Sequence, residues 1–134
     1  MSRIGRTPYN AARWDTENIS SDQVISERSS GKCLFVTAGQ TTTLTIDFAT
    51  TGCYLKIILT DTSTASLTIV TPAMEGILIF DDSGVDVLPV GNSNETKIIL
   101  PSGAAAGSYL DLVCDGTKWY VSGMTHGVTW QQSA

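Results

Sequence analysis

The segment at residues 100–123 constrains the fold more than any other part of the chain. It reads as the end of one strand, a loop of small residues, a second strand, the turn Asp115-Gly116, and a third strand that carries Trp119. Such a turn favours a β-hairpin, because glycine adopts the positive φ that matches the twist of the flanking strands. The segment therefore predicts antiparallel strands in the second half of the chain.

Short runs rich in branched residues continue this pattern through most of the sequence. The run at 41–46 alternates polar and apolar residues, as a half-buried strand does, and Gly, Asp, Asn and Ser cluster between the runs. The predicted strands are 33–37, 42–48, 54–60, 66–70, 76–80, 96–100, 108–114 and 118–121, with a short last one at 128–130. This spacing predicts an all-β protein with a β-sandwich or jelly-roll-like body of about eight or nine strands.

Two stretches of the body are similar to each other. Residues 43–59 and 97–114 both contain a strand, a small-residue loop, a Gly-X-Tyr-Leu sequence and a further strand. We interpret this as an internal pseudo-repeat whose two units pack face to face. The alternative is convergence of strand sequences in a chain rich in Thr and Gly.

Residues 1–31 differ in composition from the body at 32–134 and predict an extended N-terminal arm that docks on a partner. The arm is polar and lacks alternation, although 22–27 fits either a helical turn or a short strand. Arg3, Arg6 and Arg13 all precede the first acidic residue, Asp15, whereas the whole chain has a net charge of −5. A basic arm on an acidic body indicates binding to an acidic protein surface, and it argues against nucleic acid as a partner.

Composition also bears on compartment and cofactors. No apolar run approaches the ~20 residues of a membrane helix, and the N-terminus lacks the apolar segment of a secretory signal. We therefore expect synthesis in a cytoplasm and no membrane partner. The three cysteines, Cys33, Cys53 and Cys114, are odd in number and lack metal-ligand spacing. They are predicted to be inert core thiols, with no metal and no cofactor.

Catalytic patterns are poorly represented. His126 is the single histidine and has no accompanying nucleophile motif. The acidic run at 81–86 lacks the closing carboxylate of a calcium loop and reads as a hairpin turn. The small-residue loop at 103–107 lacks the Lys-Ser/Thr of a phosphate loop. The sequence predicts a protein that is not an enzyme.

The hairpin segment also carries a resemblance. Its pattern, Leu-Pro at 100–101, Gly-Ser-Tyr-Leu at 107–110 and Asp-Gly-Thr-Lys-Trp-Tyr-Val-Ser-Gly at 115–123, resembles β-domains of bacteriophage virion proteins of the capsid decoration, head-fibre and tail-fibre kinds. This resemblance implies a capsid decoration (cement) protein that binds the outer head surface and stabilises it. It further implies location on the virion, the major capsid protein as partner, and a homotrimer. A tail, neck or fibre component is the alternative within the virion.

Contacts with the capsid or between subunits are expected from basic and aromatic residues, which anchor interfaces. Trp119 and Tyr120 are adjacent on one strand, so one faces the core and the other faces out; we assign Trp119 to the core. The predicted contact residues are Arg3, Arg6, Tyr9, Arg13, Trp14, Tyr120 and Trp130. A carbohydrate-binding module with Tyr120 or Trp130 as its platform is the alternative from another functional class.

Overall fold

The structure is a computed structural model that describes residues 15–80, 95–126, 128 and 131–133. In these residues the chain forms ten strands and one 3₁₀ turn at Glu27–Ser29. The strands are β1 (Thr16–Ile19), β2 (Gln23–Ile25), β3 (Cys33–Val36), β4 (Thr42–Ile46), β5 (Tyr54–Leu59), β6 (Leu67–Phe80), β7 (Glu95–Leu100), β8 (Tyr109–Cys114), β9 (Trp119–Met124) and β10 (Gln131–Ser133). Within this part of the chain, no helix is long and apolar enough to cross a membrane.

The prediction of an all-β protein is confirmed. The strands form one sheet in the order β1-β3-β5-β8-β9-β6-β4-β2, with β7 on β6 and β10 on β7. The sheet bends until its two ends, β1 and β2, almost complete a barrel. The buried apolar side chains of the described residues pack into one common core.

The first six strands form a parallel coil. The chain alternates between two ladders: β1, β3 and β5 pair in parallel, and so do β2, β4 and β6. Each turn of the coil adds one strand to each ladder, so equivalent side chains stack. Leu44 lies beside Ile69, and Leu34 beside Ile57, and all four are buried. The later strands β7 to β9 pair antiparallel with at least one neighbour, and β10 pairs antiparallel with β7.

Part of the predicted arm belongs to the sheet. The strands β1 and β2 lie within residues 1–31, and their last residues, Ile19 and Ile25, are buried in the core. The segment at 22–27, for which the sequence allowed two conformations, contains the strand β2 and the start of the 3₁₀ turn. Strands of three or four residues offer too few positions for an alternating pattern to be recognised. Residues 1–14 of the arm lie outside the described residues.

The long strand β6 replaces two predicted strands, at 66–70 and 76–80. Its first half lies between β4 and β7, and its second half pairs with β9. The register with β7 shifts between Val70 and Met74, around Pro72. Proline lacks the amide hydrogen that a ladder needs and is found at such irregularities. At the other end of the chain, the last strand is Gln131–Ser133 rather than 128–130.

The two similar stretches lie in the same sheet. The strands β5 and β8, which contain the two Tyr-Leu sequences, pair directly and antiparallel. The strands β4 and β7 both pair with the first half of β6. The similar units thus adjoin within one sheet instead of facing each other across the core.

Candidate interaction surface

A row of exposed apolar side chains crosses three neighbouring strands. Tyr54 on β5 is paired with Val113 on β8, and Val113 is paired with Tyr120 on β9. These side chains are 53%, 52% and 42% exposed, respectively. Their neighbours along the strands, such as Leu112 and Trp119, are buried, as strand alternation requires. We call these three residues the Tyr-Val-Tyr row.

Two further rows lie on the same side of the sheet. The middle row is polar: Lys56 Nζ lies 3.7 Å from Asp111 Oδ1, and 4.6 Å from the centre of the Tyr109 ring. The third row is the one farthest from the Tyr-Val-Tyr row, and we call it the far row. It contains Tyr109 and the exposed Met124, which are paired. We call the outward side of these strands the outer face; it comprises Tyr54, Lys56, Ile58, Tyr109, Asp111, Val113, Tyr120, Ser122 and Met124.

The turn between β8 and β9 fixes a carboxylate beside Tyr120. Asp115 Oδ1 accepts hydrogen bonds from the amides of Thr117 and Lys118, each 2.8 Å long, and Oδ2 accepts one of 3.0 Å from the Tyr120 hydroxyl. The amide of Lys118, and then that of Thr117, are the main causes that lower the pKa of Asp115. Gly116 supplies the positive φ of +102° that this tight turn requires.

Trp119 anchors β9 on the core side of the sheet, opposite the outer face. It is buried, so its assignment to the core is confirmed, and Tyr120 faces out. The indole Nε1 donates a 2.9 Å hydrogen bond to the carbonyl oxygen of Phe48, and the two rings meet edge to face at 5.5 Å. A buried and hydrogen-bonded tryptophan on one side of β9 gives the outer face a rigid support.

A pocket of about 230 Å³ adjoins the far row of the outer face. The residues that line it include Ser108, Tyr109, Met124 and His126, together with small residues of the 103–107 loop. The amide of His126 donates to Ser108 Oγ over 3.2 Å, and its carbonyl oxygen accepts from the amide of Ala105 over 2.9 Å. These bonds attach the small-residue loop to the end of β9 and extend the outer face by a shallow depression.

The cysteines line the interior. Cys33 and Cys114 are buried and Cys53 is half-buried, and all three are free thiols. Burial raises the pKa values of the Cys33 and Cys114 thiols, which disfavours the nucleophilic thiolate. Among the described residues, no group of three or more His, Cys, Asp or Glu side chains is placed to hold a metal ion.

Of the predicted contact residues, the structure places Tyr120 on the outer face. The others, Arg3, Arg6, Tyr9, Arg13, Trp14 and Trp130, lie outside the described residues, as does the acidic run at 81–86. The sequence did not single out Tyr54, Val113 or Met124 as surface residues. Alternation along 109–114 places Val113 on the outward side, but only the pairing register shows that it lies between two tyrosines.

Comparisons of the chain with protein-family models, with curated proteins and with solved structures find no match. The outer face is therefore interpreted from its own chemistry. A flat strand surface that displays aromatic and aliphatic side chains, with fixed charges next to them, is suited to binding another macromolecule.

Proposed function

We propose that the protein is a structural component of a bacteriophage virion, and specifically a capsid decoration protein that binds the outer surface of the head. The Tyr-Val-Tyr row is the observation that supports this function. Tyrosine is enriched at the centres of protein interfaces, because its large ring contributes contact area at a low cost in side-chain entropy. In this protein, two tyrosines flank an exposed valine on a sheet that is supported by Trp119.

The resemblance to virion proteins and the outer face overlap in the hairpin of β8 and β9. The residues that carry the resemblance, at 100–123, include β8, most of β9 and the turn that holds Asp115. Val113 and Tyr120 belong to these strands. The coincidence supports a role in which this hairpin contacts other components of the particle.

Binding would act by burying apolar area across a seam between capsid subunits. A specific interface buries about 800 Å² on each partner, which exceeds what three side chains supply. The rest of the outer face and the arginines and aromatic residues of the N-terminal arm would add the remaining contacts. The major capsid protein is the proposed partner, and three copies of the chain are proposed to assemble on each site.

A co-sedimentation experiment tests this function. Purified protein is mixed with heads that lack it, and the bound fraction is compared for Val113→Asp and Val24→Asp. Val24 on β2 is also an exposed valine in a strand, at 60% exposure, but it is not part of the outer face. Val24→Asp is therefore the matched control, because it introduces the same carboxylate at another exposed site. We expect loss of binding for Val113→Asp and unchanged binding for Val24→Asp. Equal binding by both variants and the unaltered protein would rule out the outer face as the contact.

The position on the particle is tested by immunogold electron microscopy. Gold distributed over the heads supports a decoration protein. Gold confined to one pole supports the tail, neck or fibre assignment instead. Particles without gold, with the protein free in the lysate, would contradict a virion role.

The Tyr120 ring beside the Asp115 carboxylate favours carbohydrate binding as a second candidate function. An exposed aromatic ring gives a sugar a stacking surface, and a neighbouring carboxylate oxygen accepts hydrogen bonds from hydroxyl groups. A glycan array that shows binding by the unaltered protein and none by Tyr120→Ala would establish this function. No binding to any glycan, or equal binding by the unaltered protein and Tyr120→Ala, would contradict this function.

A further inference from the structure

The charge of the chain is divided unevenly between its start and the rest. Residues 1–14 contain three of the eight basic residues and none of the thirteen acidic ones. The remainder, from Asp15 onward, thus has five basic and thirteen acidic residues, a net charge of −8. Segments of opposite charge attract each other, both within one chain and between copies.

The outer face presents carboxylates next to aromatic rings. Asp115 Oδ2 lies 3.0 Å from the Tyr120 hydroxyl, and Asp111 lies on the same strand side, two residues before Val113. A guanidinium group is matched to such a surface, because it donates to a carboxylate while its plane stacks on a ring. The turn holds Asp115 in position through two backbone amides, so little conformational freedom is lost on binding.

Direct stacking of two outer faces is disfavoured by the same carboxylates. If two outer faces packed together about a twofold axis that runs parallel to β8 at Val113, Asp111 of one copy would lie opposite Asp111 of the other. A twofold axis across the strands would bring Asp111 towards Asp115, which follows β8 two residues after Val113 and is hydrogen-bonded to the outward-facing Tyr120. Like charges brought together in an interface cost free energy. Lys56, 3.7 Å from Asp111, offsets part of this repulsion, so the carboxylate of Asp115 beside the Tyr120 ring is the part of the face that best suits a basic segment.

We propose that the outer face binds the N-terminal arm, residues 1–14, of a neighbouring copy of the chain. The inference rests on the proposed function, because assembly on a repeating head surface brings copies side by side. Arg3 or Arg6 contacts Asp115 and the ring of Tyr120, and the arm lies beside Val113 along the Tyr-Val-Tyr row, so that the arm and the row together form the surface that meets the capsid. Fourteen residues of extended chain span about 45 Å, which exceeds the width of about 10 Å of a face of three strands.

Photo-crosslinking of the full chain tests this contact. Benzoylphenylalanine replaces Val113, and ¹⁵N-labelled and unlabelled copies are mixed at high concentration and low salt before irradiation. We expect crosslinks from position 113 to residues 1–14 in peptide pairs that contain one labelled and one unlabelled partner. The same probe at Val24 is the control and should not give them. Crosslinks only between peptides of equal label, or only to residues outside the arm, would overturn the proposal.

A pair of charge variants tests the role of the carboxylate. Asp115→Asn removes the charge and keeps an oxygen acceptor for the amides of Thr117 and Lys118. Asp61→Asn is the matched control: Asp61 also accepts from a backbone amide, that of Thr62 at 3.0 Å, and follows the far end of β5. We expect Asp115→Asn to weaken self-association in sedimentation equilibrium about tenfold, as the loss of one charge-assisted hydrogen bond does. Equal association of the two variants would overturn the proposal.

Particle binding by the same proteins separates this inference from the proposed function. Mixed-label crosslinks without binding to heads would support the contact between arm and face and contradict the virion role. Binding to heads without such crosslinks would support the virion role and overturn the contact.

Discussion

The indole nitrogen of Trp119 and the carbonyl oxygen of Phe48 form a hydrogen bond of 2.9 Å between residues 71 positions apart. Trp119 begins β9, whereas Phe48 follows β4, so this bond links the C-terminal hairpin to the parallel coil. The edge-to-face contact of the two rings, at an interplanar angle of 79°, adds to the same connection.

Replacement of Trp119 should therefore be costly. Trp119→Ala leaves a cavity in the core and is expected to lower the free energy of unfolding by about 3–5 kcal/mol. Trp119→Phe fills most of the space and mainly removes the donor for the Phe48 carbonyl, so we expect a loss of about 1–3 kcal/mol. Urea unfolding followed by circular dichroism measures both. A Trp119→Phe protein as stable as the unaltered one would show that the hydrogen bond contributes nothing.

The short strand β2 offers a test of whether residues 23–25 belong to the core. Ile25 is 0% exposed, whereas its neighbour Val24 is 60% exposed. Ile25→Ala should lower the free energy of unfolding by about 2–5 kcal/mol, and Val24→Ala by no more than about 0.5 kcal/mol. Chemical denaturation of the two variants gives the comparison. Similar small losses in both would contradict the placement of β2 in the sheet.

Gly123 on β9 has no room for a side chain. A Cβ atom there would overlap the carbonyl oxygen of Tyr109 and crowd Leu110 on the neighbouring strand β8. We expect Gly123→Ala to destabilise the protein by several kcal/mol or to prevent its folding, because a ladder backbone cannot move away locally. At Gly39, a Cβ atom meets nothing within 4 Å, so Gly39→Ala is the control. Thermal unfolding that begins at the same temperature in both variants would refute the close packing of β8 and β9.

The turn carboxylate predicts a pH dependence. The pKa of Asp115 is lowered in the folded state, chiefly by the amides of Lys118 and Thr117. The ionised group therefore adds stability above its unfolded pKa, and this contribution is lost as the pH falls through the folded pKa. The stability difference between the unaltered protein and Asp115→Asn should shrink below about pH 4. Unfolding measured from pH 7 downward checks this, and a constant difference would contradict it.

The three thiols should differ in reactivity. Cys33 and Cys114 are buried and have raised pKa values, whereas Cys53 is half-buried. In the native protein at neutral pH, a maleimide should therefore label Cys53 first. Cys33 and Cys114 should react fully only after unfolding in urea. Mass spectrometry of digested samples locates the label, and rapid native labelling of Cys33 would show that β3 is not packed as described.

Local patterns were sufficient for some parts of the fold and insufficient for others. The opposite orientations of Trp119 and Tyr120 were predictable, because alternation along a strand depends on neighbouring residues alone. The membership of Ile19 and Ile25 in the core was not, since their strands are too short to show a period. The single strand β6 was missed because Pro72 reads as a break.

The candidate surface required information that a single strand does not contain. The row formed by Tyr54, Val113 and Tyr120 depends on the register of β5, β8 and β9. Register follows from how whole strands fit together, and residues 59 positions apart, such as 54 and 113, are aligned only by tertiary packing. The parallel coil has the same origin, because its paired strands are never consecutive in the chain.

The strand β6 has a mechanical consequence. Its first half is bonded to β4 and β7, and its second half to β9, so one unbroken stretch of backbone belongs to both regions of the sheet. A force that pulls on β9 passes through its hydrogen bonds to β6, and the covalent backbone of β6 then carries it into the parallel coil. For the two regions to slide past each other, the hydrogen bonds along one half of β6 and those between β5 and β8 would all have to break.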